Sequence, residues 1–119
     1  MDPKTAGLLG LCRRAGKVSV GFDAVCAEVL RGTAALVLLA ADLSEKTEKE
    51  LRFAVRQRAR RRPPLYRVDV GKAELAHLLG ASRPVGVCCV TDNGFAAALQ
   101  RAGLQPEACD TEEDMLLCS

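Results

Sequence analysis

Aromatic side chains are scarce in this chain of 119 residues. They occupy 3% of the positions and include no tryptophan, so the core must be built from aliphatic side chains. Hydrophobic residues make up 49% and charged residues 27% of the chain, which is close to average globular composition and excludes a disordered or fibrous protein. The length fits one domain, since domains commonly reach roughly 100–150 residues.

Long apolar runs and a secretory leader are also missing. The longest apolar stretch, residues 34–41, is far shorter than the roughly 20 residues that a membrane-spanning helix requires. The start Met1-Asp2-Pro3 lacks the positive charge of a signal peptide. We therefore expect a cytoplasmic protein without a membrane partner.

Motifs for catalysis, phosphate loops and metal binding are absent from the sequence. It contains neither GxxxxGK[ST] nor GxGxxG, and its one histidine, His77, has no acidic or cysteine neighbour. The six cysteines form no CxxC pair, and Cys88 and Cys89 stand among apolar residues, which favours buried, unreactive thiols. Asp42 and Asp92 follow apolar strands and offer a carboxylate pair, but capping of the third and last helices explains them better. The sequence predicts no enzyme, cofactor, metal site or small-molecule substrate.

Charge is distributed unevenly along the chain. Residues 105–119 contain five acids and no base, whereas residues 1–104 carry 17 Lys and Arg against 10 Asp and Glu, a net charge of +7. We expect a folded domain over residues 1–104 and an acidic tail over 105–119, with a candidate docking patch at Met115-Leu116-Leu117. A basic domain suggests a polyanionic partner, and a generally charged, soluble surface is the alternative explanation.

Helical and extended patterns alternate along the domain. In the third helix, we expect Leu51, Phe53 and Val55 to face inward. Alternating elements of this kind predict a three-layer α/β/α sandwich with a four-stranded mixed sheet and about five helices. The expected helices cover residues 2–16, 21–32, 45–60, 73–79 and 94–102, and the expected strands cover 17–20, 35–40, 65–70 and 85–90.

Three cations, Arg13, Arg14 and Lys17, precede the second expected helix, whose free amide groups begin near Gly21. Amide donors, the positive end of the helix dipole and flanking cations together form an anion site suited to a phosphodiester. Gly21 allows another backbone to approach closely. A glycine turn with solvated arginines is the alternative, and the basic run at 56–62 is equally compatible with RNA contact or a solvated helix end.

Several segments together resemble a known family. Their order and spacing are similar to those of the ribosomal protein L7Ae/L30e family, and within it the bacterial YlxQ-like branch, over about residues 4–102. The resemblance implies an α/β/α sandwich that binds kink-turns or related RNA internal loops without catalysis, in a ribosome-associated, assembly or regulatory role. A protein-interaction scaffold is the alternative function. The segments are Leu8-Leu9-Gly10-Leu11-Cys12-Arg13-Arg14-Ala15-Gly16-Lys17, Gly21, Arg31-Gly32, the strand from Leu36 to Ala41 with Asp42, and Leu79-Gly80-Ala81-Ser82-Arg83-Pro84.

The resemblance also implies which residues meet RNA. Gly21 matches the glycine of the family's Gly-x-Asn-Glu-x-x-Lys signature, but the Asn, Glu and Lys positions hold Asp23, Ala24 and Ala27. Ionised Asp only accepts hydrogen bonds, which changes the readout of a guanine edge and repels phosphate. The expected contacts are Arg13, Arg14, Lys17, Gly21, Phe22, Asp23 and Arg31, with a second contact loop formed by Leu79, Gly80, Ala81, Ser82 and Arg83.

Overall fold

The computed structural model describes residues 1–58 and 62–102. Nine elements follow one another in the order predicted from the sequence. The helices are α1 (Pro3–Arg14), α2 (Phe22–Arg31), α3 (Glu45–Arg58), α4 (Lys72–Leu78) and α5 (Asn93–Arg101), and the strands are β1 (Val18–Val20), β2 (Leu36–Leu39), β3 (Leu65–Arg67) and β4 (Val87–Val90). The expected tail at 105–119 lies outside the described residues, as do residues 59–61 of the basic run.

The four strands form one mixed sheet in the order β1-β4-β2-β3. Strands β2 and β3 are parallel, whereas β4 runs antiparallel to both of its neighbours, β1 and β2. Helices α1, α4 and α5 cover one face and contribute to one buried cluster, while α2 and α3 cover the other face and form a second cluster. The predicted α/β/α sandwich is therefore confirmed.

Helix ends follow the capping residues recognised in the sequence. Asp2 accepts a hydrogen bond from the Lys4 amide at 2.8 Å, and Asp92 accepts one from the Phe95 amide at 3.0 Å. Gly32 ends α2 in the left-handed conformation, with φ of 79°, which costs glycine little because it has no Cβ. These predicted boundaries are confirmed to within one or two residues.

Two sequence-based expectations for the third helix region were wrong. Asp42 caps α4, since its Oδ1 accepts from the Lys72 amide at 2.9 Å, and Ser44 alone caps α3 through the Thr47 amide at 3.2 Å. Phe53 is 59% exposed, although Leu51 and Val55 are buried as predicted. Residues two apart on a helix point in different directions, so Phe53 cannot share the inward face of its neighbours.

The buried thiols conform to prediction. Cys12, Cys88 and Cys89 are free and buried. Burial, with a smaller effect from Asp92, raises the pKa of Cys12 to about 11, and burial also raises the pKa of Cys88. Both cysteines of β4 are fully enclosed, so they act as small core side chains.

Candidate nucleic-acid interface

One edge of the sheet collects four chain connections. Strands β1, β2 and β3 end there and β4 begins there, because the register pairs Val20 with Cys88 and Leu39 with both Val87 and Arg67. A groove of about 540 Å³ lies at this edge, where loops of α/β sheets commonly bind ligands. Its lining consists of Val20, Gly21, Phe22, Leu43, Thr47, Lys72, Ala81, Ser82, Arg83, Pro84, Val85, Gly86 and Val87.

The amide end of α2 opens at this groove. Gly21 is the N-cap residue, with φ of 98°, and no side chain caps the helix start. Its own amide donates to the Val87 carbonyl at 2.8 Å, which ties the turn to β4. A Cβ at Gly21 would meet nothing within 4 Å, so the backbone conformation, and not crowding, requires glycine. Free amide groups and the positive end of the helix dipole are thus available to an anion.

The second predicted contact loop lines the same groove as the start of α2. Ala81, Ser82 and Arg83 line it, and Gly80, in the left-handed conformation, ends α4 just before them. Leu79 differs from the other members, because its side chain is 4% exposed and packs in the core cluster beside α1. The side chain of Leu79 is therefore unavailable for a surface contact, although the loop that follows it is well placed.

Two cations line the groove. Arg83 is exposed and Lys72 is half-buried, and within residues 1–58 and 62–102 neither forms an ion pair with an acid. The sequence reasoning missed Lys72. Lys72 begins α4, the helix that follows β3, and it reaches this edge because β3 runs parallel to β2 and the carboxyl ends of parallel strands meet at one sheet edge.

Other predicted contact residues lie away from the groove. Lys17 stands at the opposite end of β1 from Gly21, a separation of roughly 13 Å at the rise of a strand, and its carbonyl accepts from the Thr91 amide. Arg31 stands at the far end of α2, also roughly 13 Å from the helix start, where it pairs with Glu28. Their contacts with RNA stay predictions.

Three further predicted contacts do not line the groove. Asp23 is exposed in the first turn of α2. Arg14 is exposed at the end of α1. Arg13 is exposed too, but its guanidinium lies over Gly80: the Cζ, Nε and Nη2 atoms occupy the space that a Cβ at Gly80 would take. The structure therefore brings the Arg13 guanidinium to the second loop.

An ion-pair network supports the wall formed by the β2–α3 connection. Arg67 Nη1 donates to the Ala40 carbonyl at 3.2 Å and to the Ala41 carbonyl at 3.3 Å. Arg67 also pairs with Glu48, which pairs with Arg52 at 2.6 Å. These half-buried contacts hold the start of α3 against the end of β3, so Leu43 and Thr47 keep their places in the groove.

The two strand-end carboxylates are not neighbours. Asp42 follows β2 and Asp92 follows β4, and these strands are antiparallel, so the carboxylates lie at opposite edges of the sheet and each caps a helix. Among the residues that the structure describes, no three His, Cys, Asp or Glu side chains cluster as metal ligands would. Within the same ranges, no helix has the length and apolarity to span a membrane.

Comparison with known proteins gives consistent matches over most of the chain. Residues 4–100 match the model of the Ribosomal protein L7Ae/L30e/S12e/Gadd45 family. The RNA-binding protein YlxQ of Bacillus subtilis (strain 168) is 38% identical over 97 residues, which cover 77% of this chain and 87% of that protein. The RNA-binding protein YlxQ of Enterococcus faecium is 31% identical over 97 residues, which cover 78% of this chain and 84% of that protein.

Solved structures give the same fold. A protein of unknown function from Bacillus halodurans C superposes with a TM-score of 0.73 at 28% identity, covering 85% of this chain and 97% of that one. The Giardia lamblia 15.5kD RNA binding protein superposes with a TM-score of 0.64 at 19% identity, covering 86% of this chain and 93% of that one. At this identity the second likeness concerns the fold alone.

Proposed function

Because this chain belongs to the Ribosomal protein L7Ae/L30e/S12e/Gadd45 family, we propose that it is a non-enzymatic, cytoplasmic protein that binds structured RNA. The RNA occupies the groove between the start of α2 and the loop that follows α4. One observation carries the proposal: Gly21, with its uncapped helix start, and Arg83, from the second loop, line the same groove. Two proteins named for RNA binding share 31% and 38% of their aligned residues with this chain.

The groove offers two kinds of contact that suit folded RNA. Amide groups of α2 and the cations Lys72 and Arg83 favour phosphate oxygens. Phe22, Leu43 and the 42% exposed Val20 add apolar surface, on which an unstacked base can lie. Phosphates and unpaired bases occur together in internal loops, so a kink-turn or a related internal loop of ribosomal RNA is the ligand class that we propose. A ribosome-assembly or regulatory role follows from such a target.

Affinity measured across salt concentration tests the proposal. An internal-loop fragment of ribosomal RNA and its fully paired counterpart serve as probes. We expect binding that weakens steeply as salt rises, with preference for the internal loop. Lys72→Ala and Arg83→Ala should each weaken binding and lower the magnitude of the salt slope by about 1, the value for one phosphate contact.

Arg101→Ala is the matched control for these two variants, because Arg101 is an exposed cation of α5 outside the groove lining. It should leave the affinity close to that of the unmodified protein. The proposal is contradicted if Arg101→Ala loses as much RNA affinity as Arg83→Ala does. It is also contradicted if the unmodified protein does not bind the RNA even at low ionic strength.

A protein-interaction scaffold is the second candidate function. The positions that hold Asn and Glu in the family's signature are Asp23 and Ala24 in this chain, which weakens direct readout of a guanine edge and favours a role in which RNA is incidental. Pull-down before and after nuclease treatment separates the two functions. A scaffold keeps its protein partner when RNA is destroyed, whereas an RNA-mediated association is lost.

A further inference from the structure

We propose that Arg13 is a positioning residue: its guanidinium lies against Gly80 and holds the loop of residues 80–84 in place for RNA. This inference deepens the proposed function and rests on it. It also assigns Arg13 a role different from that of a phosphate contact.

The contact between Arg13 and Gly80 is the primary observation. The three atoms closest to a Cβ built at Gly80 are Cζ, Nε and Nη2 of Arg13, all within 3 Å. Glycine at this position therefore has two causes. Its φ of 64° is left-handed, which strains other residues, and its missing Cβ leaves the space that the guanidinium fills.

The loop is attached at both ends and has little support between them. Leu79 and Val85 are buried, the Ala81 amide donates to the Ala76 carbonyl at 2.8 Å, and the Val85 amide donates to the Lys72 carbonyl at 3.1 Å. Within the described parts of the chain, the amides of Ser82 and Arg83 donate no backbone hydrogen bond. The Gly80 amide donates to the His77 carbonyl at 3.2 Å, so a side chain packed on Gly80 adds a second restraint at the start of the loop, next to the segment that lacks one.

Packing between α1 and α4 fixes the backbone position from which the Arg13 side chain extends. Cys12, beside Arg13, is fully buried in the cluster that also holds Leu75 and Leu79. The end of α1 is consequently held against the end of α4. A cation placed there also complements the partial negative charge of the last carbonyl groups of α4.

Arg14 provides a matched control. It has the same charge, is exposed on the same last turn of α1, and is not among the atoms that fill the space at Gly80. A difference between Arg13→Ala and Arg14→Ala therefore reports the contact with Gly80 and not the loss of one positive charge.

Backbone dynamics of the RNA-free, full-length protein form the first test. In Arg13→Ala, we expect amide order parameters of Ser82 and Arg83 to fall from about 0.85 toward about 0.6, and exchange of the Ala81 amide to accelerate about fivefold. Arg14→Ala should match the unmodified protein in both measurements. Unchanged order parameters and exchange in Arg13→Ala overturn the positioning role, whatever the protein binds.

RNA affinity forms the second test, with the internal-loop fragment as the probe. Arg13→Ala should raise Kd about fivefold while the salt slope stays unchanged, because no phosphate contact is lost. A slope lower by about 1 overturns the proposal in favour of direct phosphate contact. If no variant or unmodified protein binds the RNA, the proposed function fails, and the dynamics result still decides the positioning role.

A double-mutant cycle tests the pairing itself. Gly80→Ala introduces the left-handed strain in any background, but it displaces the guanidinium only where Arg13 is present. We expect Gly80→Ala to raise Kd by a smaller factor in the Arg13→Ala background than in the unmodified protein. If Gly80→Ala raises Kd by the same factor in both backgrounds, the contact between Arg13 and Gly80 does not contribute to RNA binding.

Discussion

At the scale of single residues, Asp23 brings a negative charge to the amide end of α2. The carboxylate is exposed in the first turn of the helix, where it stabilises the helix by complementing the dipole and opposes an incoming phosphate. Asp23→Asn should therefore tighten RNA binding about three- to tenfold at low salt, with a smaller gain as salt rises. It should also lower the free energy of unfolding by about 0.5 kcal/mol.

The control for this change is Glu50→Gln, which removes an exposed charge from α3 outside the groove lining. Paired titrations of both variants with the internal-loop fragment, together with urea unfolding, make the comparison. Equal gains in affinity would attribute the effect to net charge. Weaker binding by Asp23→Asn would mean that the carboxylate accepts hydrogen bonds from a base edge.

At the scale of secondary-structure elements, the alternating pattern of residues 65–70 predicted the buried side chains correctly, although the strand itself is shorter than predicted. Tyr66, Val68 and Val70 are buried as a period of two requires, yet β3 ends at Arg67 because its partner β2 is only four residues long. Asp42 was assigned to the wrong helix for a related reason. A cap is set by proximity in space, and the Asp42 carboxylate meets the amide of Lys72 at the start of α4, 30 residues away along the chain.

Alkaline pH should lower the stability of the protein through the two buried cysteines of β4. Burial, with a smaller effect from Glu28, raises the pKa of Cys89 from 9.0 to about 11, and burial raises that of Cys88 as well. A thiol that keeps its proton longer when folded stabilises the protein fully below the ordinary pKa. That contribution is lost as pH rises through the folded-state pKa, so the free energy of unfolding should fall from about pH 9 to pH 11.

Replacing the two cysteines tests whether their thiols cause the loss of stability at alkaline pH. In the double variant Cys88→Val and Cys89→Val, the fall with pH should be shallower by up to about 1.4 kcal/mol per pH unit for each thiol removed. Denaturant unfolding at several pH values, with reductant present, measures the slope. An identical slope in the variant and the unmodified protein would assign the alkaline loss to other groups.

At the scale of the whole molecule, the sequence placed residues of both predicted contact loops in the candidate groove but not all of the cations that line it. Gly21 and Arg83 are recognisable locally, by a helix start and by a short motif. Lys72 belongs to the groove only because β3 pairs parallel to β2, and Lys17 is excluded from it by the direction of β1. Strand order and direction depend on contacts between distant segments, which no local pattern specifies.

Charge balance across the full chain yields the last prediction. Residues 105–119 carry five acids and no base, so deleting them raises the formal net charge from +2 to +7. The electrostatic potential that attracts RNA should rise accordingly, and we expect the deletion to lower Kd severalfold at low salt. The gain should fade above roughly 0.15 M salt, where the Debye length is about 8 Å.

A full-length variant with a neutralised tail separates charge from the apolar segment Met115-Leu116-Leu117. It carries Glu107→Gln, Asp110→Asn, Glu112→Gln, Glu113→Gln and Asp114→Asn. If charge alone weakens binding, this variant and the deletion should gain the same affinity in titrations with the internal-loop fragment. A gain on deletion alone would assign the effect to the apolar segment, and no gain in either would remove the tail from the control of RNA binding.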